Sequence, residues 1–135
     1  MSKVIFACTQ NAGLSQMAAA FFNVMADPDK AQALTAGTQP GERMHPVVLE
    51  SMREIGIDLG DAKPRLLTDA LARDAQWLIT LGCGEAVPQA TQLMREDWPL
   101  EDPQGKSAQQ VERIRDEIAA RVSGLLEREG WMRGG

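Results

Sequence analysis

The hydrophobic pattern at the start of the chain predicts a buried strand followed closely by an amphipathic helix. The strand is the continuous apolar run at residues 4–7. Beyond it, apolar residues recur at spacings of three and four, as one face of a helix requires. They are Leu14, Met17, Ala18, Phe21 and Met25. Residues 8–15, called the loop below, therefore connect the end of a strand to the first turn of a helix.

The rest of the chain continues this alternation. In chain order the pattern predicts a weak strand at 33–37, a helix from Pro46, a short helix capped by Thr68, a strand at 76–81, a short strand or extended segment at 97–100 and a helix at 106–126. The helix from Pro46 is expected to bury Val48, Met52 and Ile55 and to end at Gly56. Strands alternating with helices indicate an α/β protein with a parallel sheet and helices on both faces.

The loop has the features of an anion-binding site. The first N–H groups of a helix lack partners within the helix and carry partial positive charge, so they attract oxyanions. The same field stabilises a cysteine thiolate, which favours Cys8 as a nucleophile. Asn11, Ala12 and Gly13 are small or tolerate unusual backbone angles, so several N–H groups can converge on one point. The chemistry is therefore expected at Cys8.

Composition and charge exclude several other classes of function. At 135 residues the chain is expected to be one domain spanning 1–135, and its net charge of -5 without a basic cluster argues against a nucleic-acid partner. It contains no apolar run long enough to span a bilayer, so neither a membrane partner nor a leader peptide is expected. Two distant cysteines and one histidine do not predict a metal site. Reduced thiols fit a cytoplasmic protein.

Three strand ends carry residues with useful chemistry. They are Cys8, Cys83 and the segment that reaches Asp102. In parallel α/β sheets, ligands bind beyond the carboxyl ends of the strands. We therefore expect these three residues to converge on one crevice.

Several ordered motifs resemble those of a known family. They are Asn11-Ala12-Gly13, Ser15-Gln16-Met17-Ala18, Ala36-Gly37-Thr38, Gly82-Cys83-Gly84, Asp97-Trp98 and Glu101-Asp102-Pro103. Together with the loop, they resemble the thioredoxin-coupled arsenate reductases built on the low-molecular-weight tyrosine phosphatase fold. The resemblance implies a three-layer α/β/α fold around a four-stranded parallel sheet. It also implies arsenate reduction in arsenic resistance, no cofactor, and a thiol reductant such as thioredoxin, glutaredoxin or a small thiol.

The resemblance also implies a role for each site residue. Cys8 would attack arsenate, Asp102 would protonate the leaving oxygen, and Cys83 would resolve the Cys8–arsenic adduct as a disulfide. The Ser15 hydroxyl would donate to the Cys8 thiolate. The loop would cradle the oxyanion through Thr9, Gln10, Asn11, Ala12, Gly13, Leu14 and Ser15.

Two positions depart from the family's pattern. Leu14 stands where the family has an arginine whose guanidinium binds two oxyanion oxygens. Hydrogen bonds to charged groups contribute about 1.5–3 kcal/mol each, so losing two implies a cost of roughly 10²–10⁴ in rate or affinity. Val87 stands where relatives that pass a disulfide outward carry a third cysteine. An external thiol would then have to reduce a Cys8–Cys83 disulfide, or attack Cys8-bound arsenic, directly.

Other interpretations of these residues stay open at this point. The chain could be a catalytically silent oxyanion-binding or regulatory protein, or a phosphatase that has no use for Cys83. Asp102 before Pro103 is also typical of a turn or of the N-cap of the last helix. His45 before Pro46 is interpreted as a loop or helix-start residue rather than a catalytic base. An arginine from elsewhere in the chain, Arg43, Arg65 or Arg95, is an alternative source of positive charge at the loop.

Overall fold

A parallel sheet forms the centre of the fold in the computed structural model, which describes residues 1–82 and 93–134. Within these residues the sheet has four strands in the order β2-β1-β3-β4. They are β1 (Ser2–Cys8), β2 (Ala31–Gly37), β3 (Trp77–Thr80) and β4 (Met94–Asp97). All neighbouring strands pair in parallel. The predicted four-stranded parallel sheet is confirmed.

Helices lie on both faces of the sheet. They are α1 (Leu14–Met25), α2 (Pro46–Arg53), α3 (Asp69–Arg73) and α4 (Ala108–Glu129). Val4 and Phe6 of β1 belong to one hydrophobic cluster with α1, α2 and α4. Ile5 and Ala7, which alternate with them, belong to a second cluster with α3. The fold therefore has the three layers that the sequence predicts.

Strand β1 sets the position of the loop. Its neighbours β2 and β3 lie on either side, so the strand is central and its residues 4–8 are buried. The register pairs Cys8 with Gly37, the last residue of β2. Since β1, β2 and β3 run parallel, the segments that follow all three strands emerge at the same edge of the sheet. The loop emerges at the middle of that edge.

The signals predicted at Thr68 and Gly56 are present at the helix ends, and α4 has a cap that was not predicted. The Thr68 hydroxyl oxygen accepts from the Leu71 amide at 3.1 Å and begins α3, as the sequence indicates. At α4, Ser107 and Gln110 form a reciprocal capping box. Gly56, with φ of 84°, lies in the turn that ends α2.

Two predictions about the elements are wrong in detail. The last strand is Met94–Asp97 rather than 97–100, and Trp98 follows it as a core residue 5.6 Å from the Phe6 ring. Because β4 is an edge strand with Met94 57% exposed, it shows no hydrophobic alternation to mark it. Ile55 is 42% exposed, since α2 ends at Arg53 and the turn carries Ile55 away from the buried face.

Among the described residues, no helix combines the length and hydrophobicity needed to cross a membrane. That residues 1–135 form a single domain stays a prediction.

Candidate active site

The carbonyl groups of the loop are bonded to the segment that follows β2. Four of them accept a backbone amide from it: Cys8 from Thr38 (3.1 Å), Thr9 from Gln39 (2.8 Å), Gln10 from Gly41 (2.9 Å) and Ala12 from His45 (3.0 Å). A trans peptide places its N–H opposite its C=O. The N–H groups of the next residues, Thr9, Gln10, Asn11 and Gly13, therefore point the other way. This orientation makes the loop a cradle of donors, as the sequence predicts.

One of these donors is seen to reach the Cys8 sulfur. The Asn11 amide donates to Cys8 Sγ at 3.2 Å. The amides of Thr9, Gln10, Ala12 and Gly13 donate to no group within residues 1–82 and 93–134. Unused N–H groups beside a sulfur are the arrangement that an oxyanion bound over that sulfur requires.

Asn11 holds the loop in this shape from behind. Its backbone is left-handed, with φ of 54°, a conformation that asparagine tolerates better than most residues. Its side-chain Nδ2 donates to Ser15 Oγ at 2.7 Å, and its Oδ1 accepts from the Arg65 amide at 2.9 Å. Both Asn11 and Ser15 are fully buried. The Asn11 side chain therefore ties the loop to α1 and to the segment before α3.

Ser15 is positioned to donate to Cys8. Ser15 Oγ lies 2.9 Å from Cys8 Sγ. Because the serine oxygen already accepts from Asn11 Nδ2, its own hydrogen is available for the sulfur. The Ser15 hydroxyl and the Asn11 amide thus provide two hydrogen-bond donors to the Cys8 sulfur.

Gly37 allows the end of β2 to lie directly against the loop. A Cβ at this position would lie 2.7 Å from the Thr9 carbonyl oxygen and 2.9 Å from Asn11 Cβ. The first of these is a backbone atom of the loop and cannot move aside cheaply. The glycine in the Ala36-Gly37-Thr38 motif is therefore explained by close backbone approach.

A cavity of about 170 Å³ opens in front of Cys8. It is lined by Cys8, Thr9, Gln10, Ala12, Gly13, Leu14, His45, Leu81, Gly82, Leu100 and Asp102. Asn11 and Ser15 do not line it, but each lies within hydrogen-bond distance of Cys8 Sγ. The structure thus brings together Cys8 and Asp102 from two of the three predicted segments. The third predicted residue, Cys83, lies outside the described residues.

Leu14 packs in the core and also lines the cavity. It is 5% exposed and belongs to the hydrophobic cluster of α1 and α4. Within the described ranges, no arginine or lysine lines this cavity. Arg65 Nε donates to the Thr35 carbonyl at 2.9 Å, and Arg43 lines a different cavity beside Pro46. Arg95 lies on the edge strand β4. The alternative that one of these arginines supplies the charge finds no support.

Asp102 forms a turn at the mouth of the cavity. Its Oδ1 accepts from the Gln104 amide at 2.9 Å, which confirms the turn interpretation. The N-cap interpretation is wrong, because Ser107 caps α4. The Asp102 side chain is exposed, so its carboxyl group can exchange protons with water while it lines the site.

His45 is a cavity residue that the sequence reasoning missed. Its amide bonds the loop at Ala12, and its ring carbon Cδ2 would lie 3.3 Å from a Cβ placed on Gly13. The Pro46 that follows marks a helix start, and α2 does begin there. That signal gives no indication that the residue before the proline also lies against the loop.

Comparisons with known proteins identify the family. The family model for low molecular weight phosphotyrosine protein phosphatase matches residues 3–130. The chain belongs to this family. The expected resemblance to its arsenate reductases is also confirmed by the individual relatives.

Three relatives from this family span nearly all of the chain. A glutaredoxin arsenate reductase of Synechocystis is 34% identical, over 93% of this chain and 97% of its own length. A thioredoxin-dependent arsenate reductase of Corynebacterium glutamicum is 34% identical with a TM-score of 0.82, and the match covers 95% of this chain and 61% of that one. A structure of an arsenate reductase in the phosphate-binding state is 30% identical with a TM-score of 0.81. That match covers 95% of this chain and 98% of the other.

Proposed function

We propose that the protein is an arsenate reductase that uses Cys8 as its nucleophile and turns over slowly because of Leu14. The observation that carries the proposal is the position of Cys8 Sγ. It lies at the cavity with the Asn11 amide at 3.2 Å and the Ser15 hydroxyl at 2.9 Å. The relatives named above are arsenate reductases, which supports arsenate as the oxyanion.

The first chemical step forms a bond between Cys8 and arsenic. The Cys8 thiolate attacks arsenate, an As–S bond forms, and one oxygen leaves as water. Asp102, which lines the same cavity, supplies a proton to that oxygen. The N–H groups of the loop stabilise the charge that develops on the remaining oxygens.

The second step transfers two electrons to arsenic. Cys83 attacks Cys8 Sγ as a thiolate, so an S–S bond forms and the As–S bond breaks. The electron pair of the broken bond stays on arsenic, which leaves as arsenite. A thiol reductant, such as thioredoxin, glutaredoxin or a small thiol, then reduces the Cys8–Cys83 disulfide. Since position 87 is valine and carries no third cysteine, the proposed reductant acts on this disulfide itself. Such chemistry needs a reducing compartment, so we place the protein in the cytoplasm.

The decisive experiment is arsenate-dependent oxidation of a reductant by the wild type, Cys8→Ser and Cys83→Ser. Arsenate reduction should collapse in both variants, by at least about 10³-fold, because each lacks a sulfur that forms the disulfide. The same proteins are assayed for hydrolysis of a small phosphate ester. Turnover of arsenate that survives Cys8→Ser would reject the mechanism.

A second candidate is a catalytically silent protein that binds oxyanions. It is favoured by the cavity lining, which in the described chain carries Leu14 but neither arginine nor lysine. Negligible arsenate turnover by a folded wild type that still binds oxyanions would select this candidate. A phosphatase would instead hydrolyse phosphate esters equally well with and without Cys83→Ser.

A further inference from the structure

His45 is the one described residue lining the cavity whose side chain can carry a positive charge. The other lining residues are apolar, neutral and polar, or, in Cys8 and Asp102, able to become negative. The chain contains a single histidine, so no second imidazole can take this place. Among the described lining residues, only His45 can therefore provide a positive side-chain charge to a bound anion.

The backbone holds His45 firmly against the loop. Its amide donates to the Ala12 carbonyl at 3.0 Å, and its own carbonyl accepts from Val48 at 3.0 Å at the start of α2. Its ring packs over Gly13, where an added Cβ would lie 3.3 Å from Cδ2. The half-buried ring is therefore located beside the donors of the loop, on the cavity side.

The charge in the cavity makes this position important. An arsenate dianion over a Cys8 thiolate brings several negative charges together, so the filled site is strongly negative. Water is partly excluded there because Leu14, Leu81 and Leu100 line the same cavity. In such a setting a single cation contributes much more than on the open surface.

We propose that protonated His45 binds the oxyanion in this cavity and replaces part of the charge that an arginine at position 14 would supply. The proposal rests on the proposed function, since it assumes that the loop binds an oxyanion. His45 would act as an anion-binding residue, and binding would weaken as the pH rises and the imidazolium is lost.

Other titratable groups lie near His45 and have to be separated from it. Cys8 at the end of β1 and Asp102 before α4 line the same cavity. Glu42 and Arg43, which precede His45 in the chain, line the neighbouring cavity. Glu50 on α2 is exposed. A variant of His45 must therefore be compared with the wild type at each pH, so that the contributions of these other groups to the pH dependence of binding cancel.

The test uses sulfate, whose charge stays constant between pH 6 and 8, so only the protein titrates. Calorimetry at pH 6 and at pH 8 gives the dissociation constant of sulfate for four proteins. They are the wild type, His45→Gln, His45→Lys and the matched control Arg43→Gln. At pH 6 we expect His45→Gln to raise the dissociation constant of sulfate about tenfold. This is the contribution of one charge-assisted hydrogen bond at a partly exposed site. His45→Lys should bind at both pH values, and Arg43→Gln should match the wild type.

A second readout needs no variant. Because there is one histidine, its ring protons give a single set of signals in the proton NMR spectrum. If the imidazolium contacts the anion, saturating sulfate must move the pH midpoint of these signals upward, by linkage.

The outcomes separate this proposal from the proposed function. Wild-type protein that binds sulfate while His45→Gln binds equally well, with an unmoved NMR midpoint, overturns the role of His45 and leaves the loop intact. Folded wild type that binds no sulfate at either pH overturns both. Weaker binding in His45→Gln at pH 6 only, with rescue by lysine, supports the proposal.

Discussion

The floor and the rim of the cavity differ sharply in how they are built. The floor is the main chain of residues 8–15, where carbonyls are bonded outward and N–H groups turn inward. The rim consists of side chains, namely Leu14, His45, Leu81, Leu100 and Asp102. The floor has the geometry that we propose for oxyanion binding, while in the described lining only His45 can carry a positive charge. Shape and charge are thus separate components of this site, and one persists without the other.

The separation is possible because Leu14 does not disturb the backbone. It is the first residue of α1, and the Met17 amide still bonds the Gly13 carbonyl at 3.0 Å. Its side chain packs with the core cluster of α1 and α4. A change of charge at position 14 therefore leaves the loop in place, which makes the two components testable one at a time.

Leu14→Arg should have the largest effect, because it adds charge to the rim without changing the floor. Two charge-assisted hydrogen bonds of about 1.5–3 kcal/mol each would tighten arsenate or sulfate binding by roughly 10²–10⁴. Calorimetry and the reductant-oxidation assay measure the gain.

Leu14→Met is the matched control, since it keeps the packing and adds no charge. It should leave sulfate affinity within about threefold of the wild type. If the arginine variant binds sulfate no better than the methionine variant, the loss of oxyanion affinity does not come from position 14.

Gly37→Ala should damage the floor. The added Cβ would meet the Thr9 carbonyl oxygen at 2.7 Å, and the loop must shift to relieve the clash. We expect a loss of about 2–3 kcal/mol in the free energy of unfolding and a parallel loss of sulfate affinity. Urea unfolding and calorimetry report the two quantities.

Gly124→Ala provides the contrast for that experiment. Gly124 lies within α4, and among the described residues no atom outside the neighbouring turns of that helix lies within 4 Å of its added Cβ. The free energy of unfolding should rise by about 0.5–1 kcal/mol with sulfate affinity unchanged. Equal behaviour of the two alanine variants would contradict the close approach assigned to Gly37.

Asn11→Gly should have a smaller effect on the floor. Glycine accepts the left-handed backbone of position 11, so only the side-chain bonds to Ser15 and to the Arg65 amide are lost. We expect a loss of about 1–2 kcal/mol in unfolding free energy. Alkylation of Cys8 should also slow, because Ser15 no longer has a fixed orientation. An unchanged alkylation rate would exclude this role for Asn11.

Much of the fold follows from local patterns in the sequence. The apolar run at 4–7 and the stripe from Leu14 to Met25 correctly predict β1 and α1, because both periodicities are strong. Thr68 correctly marks α3. The position of strand β4 is predicted wrongly because an exposed edge strand carries no such pattern. Trp98 suggests a strand at 97–100, but it follows β4 and packs against Phe6.

The candidate site was less accessible to sequence reasoning than the fold. The loop and Asp102 were found because a helix start and a family motif mark them. The place of His45 at the cavity is not predictable in this way, because it depends on a contact with Ala12, 33 residues earlier in the chain. A partner so distant leaves no local signal. The roles of Cys8, Asp102 and Cys83 stay predictions.

A crystal structure of the protein with sulfate or arsenate tests the central claim most directly. We expect a tetrahedral anion over Cys8 Sγ, with its oxygens about 2.7–3.2 Å from the amides of the loop, even though position 14 is leucine. The claim is contradicted if the anion binds elsewhere, or if at saturating concentration the loop amides stay without it.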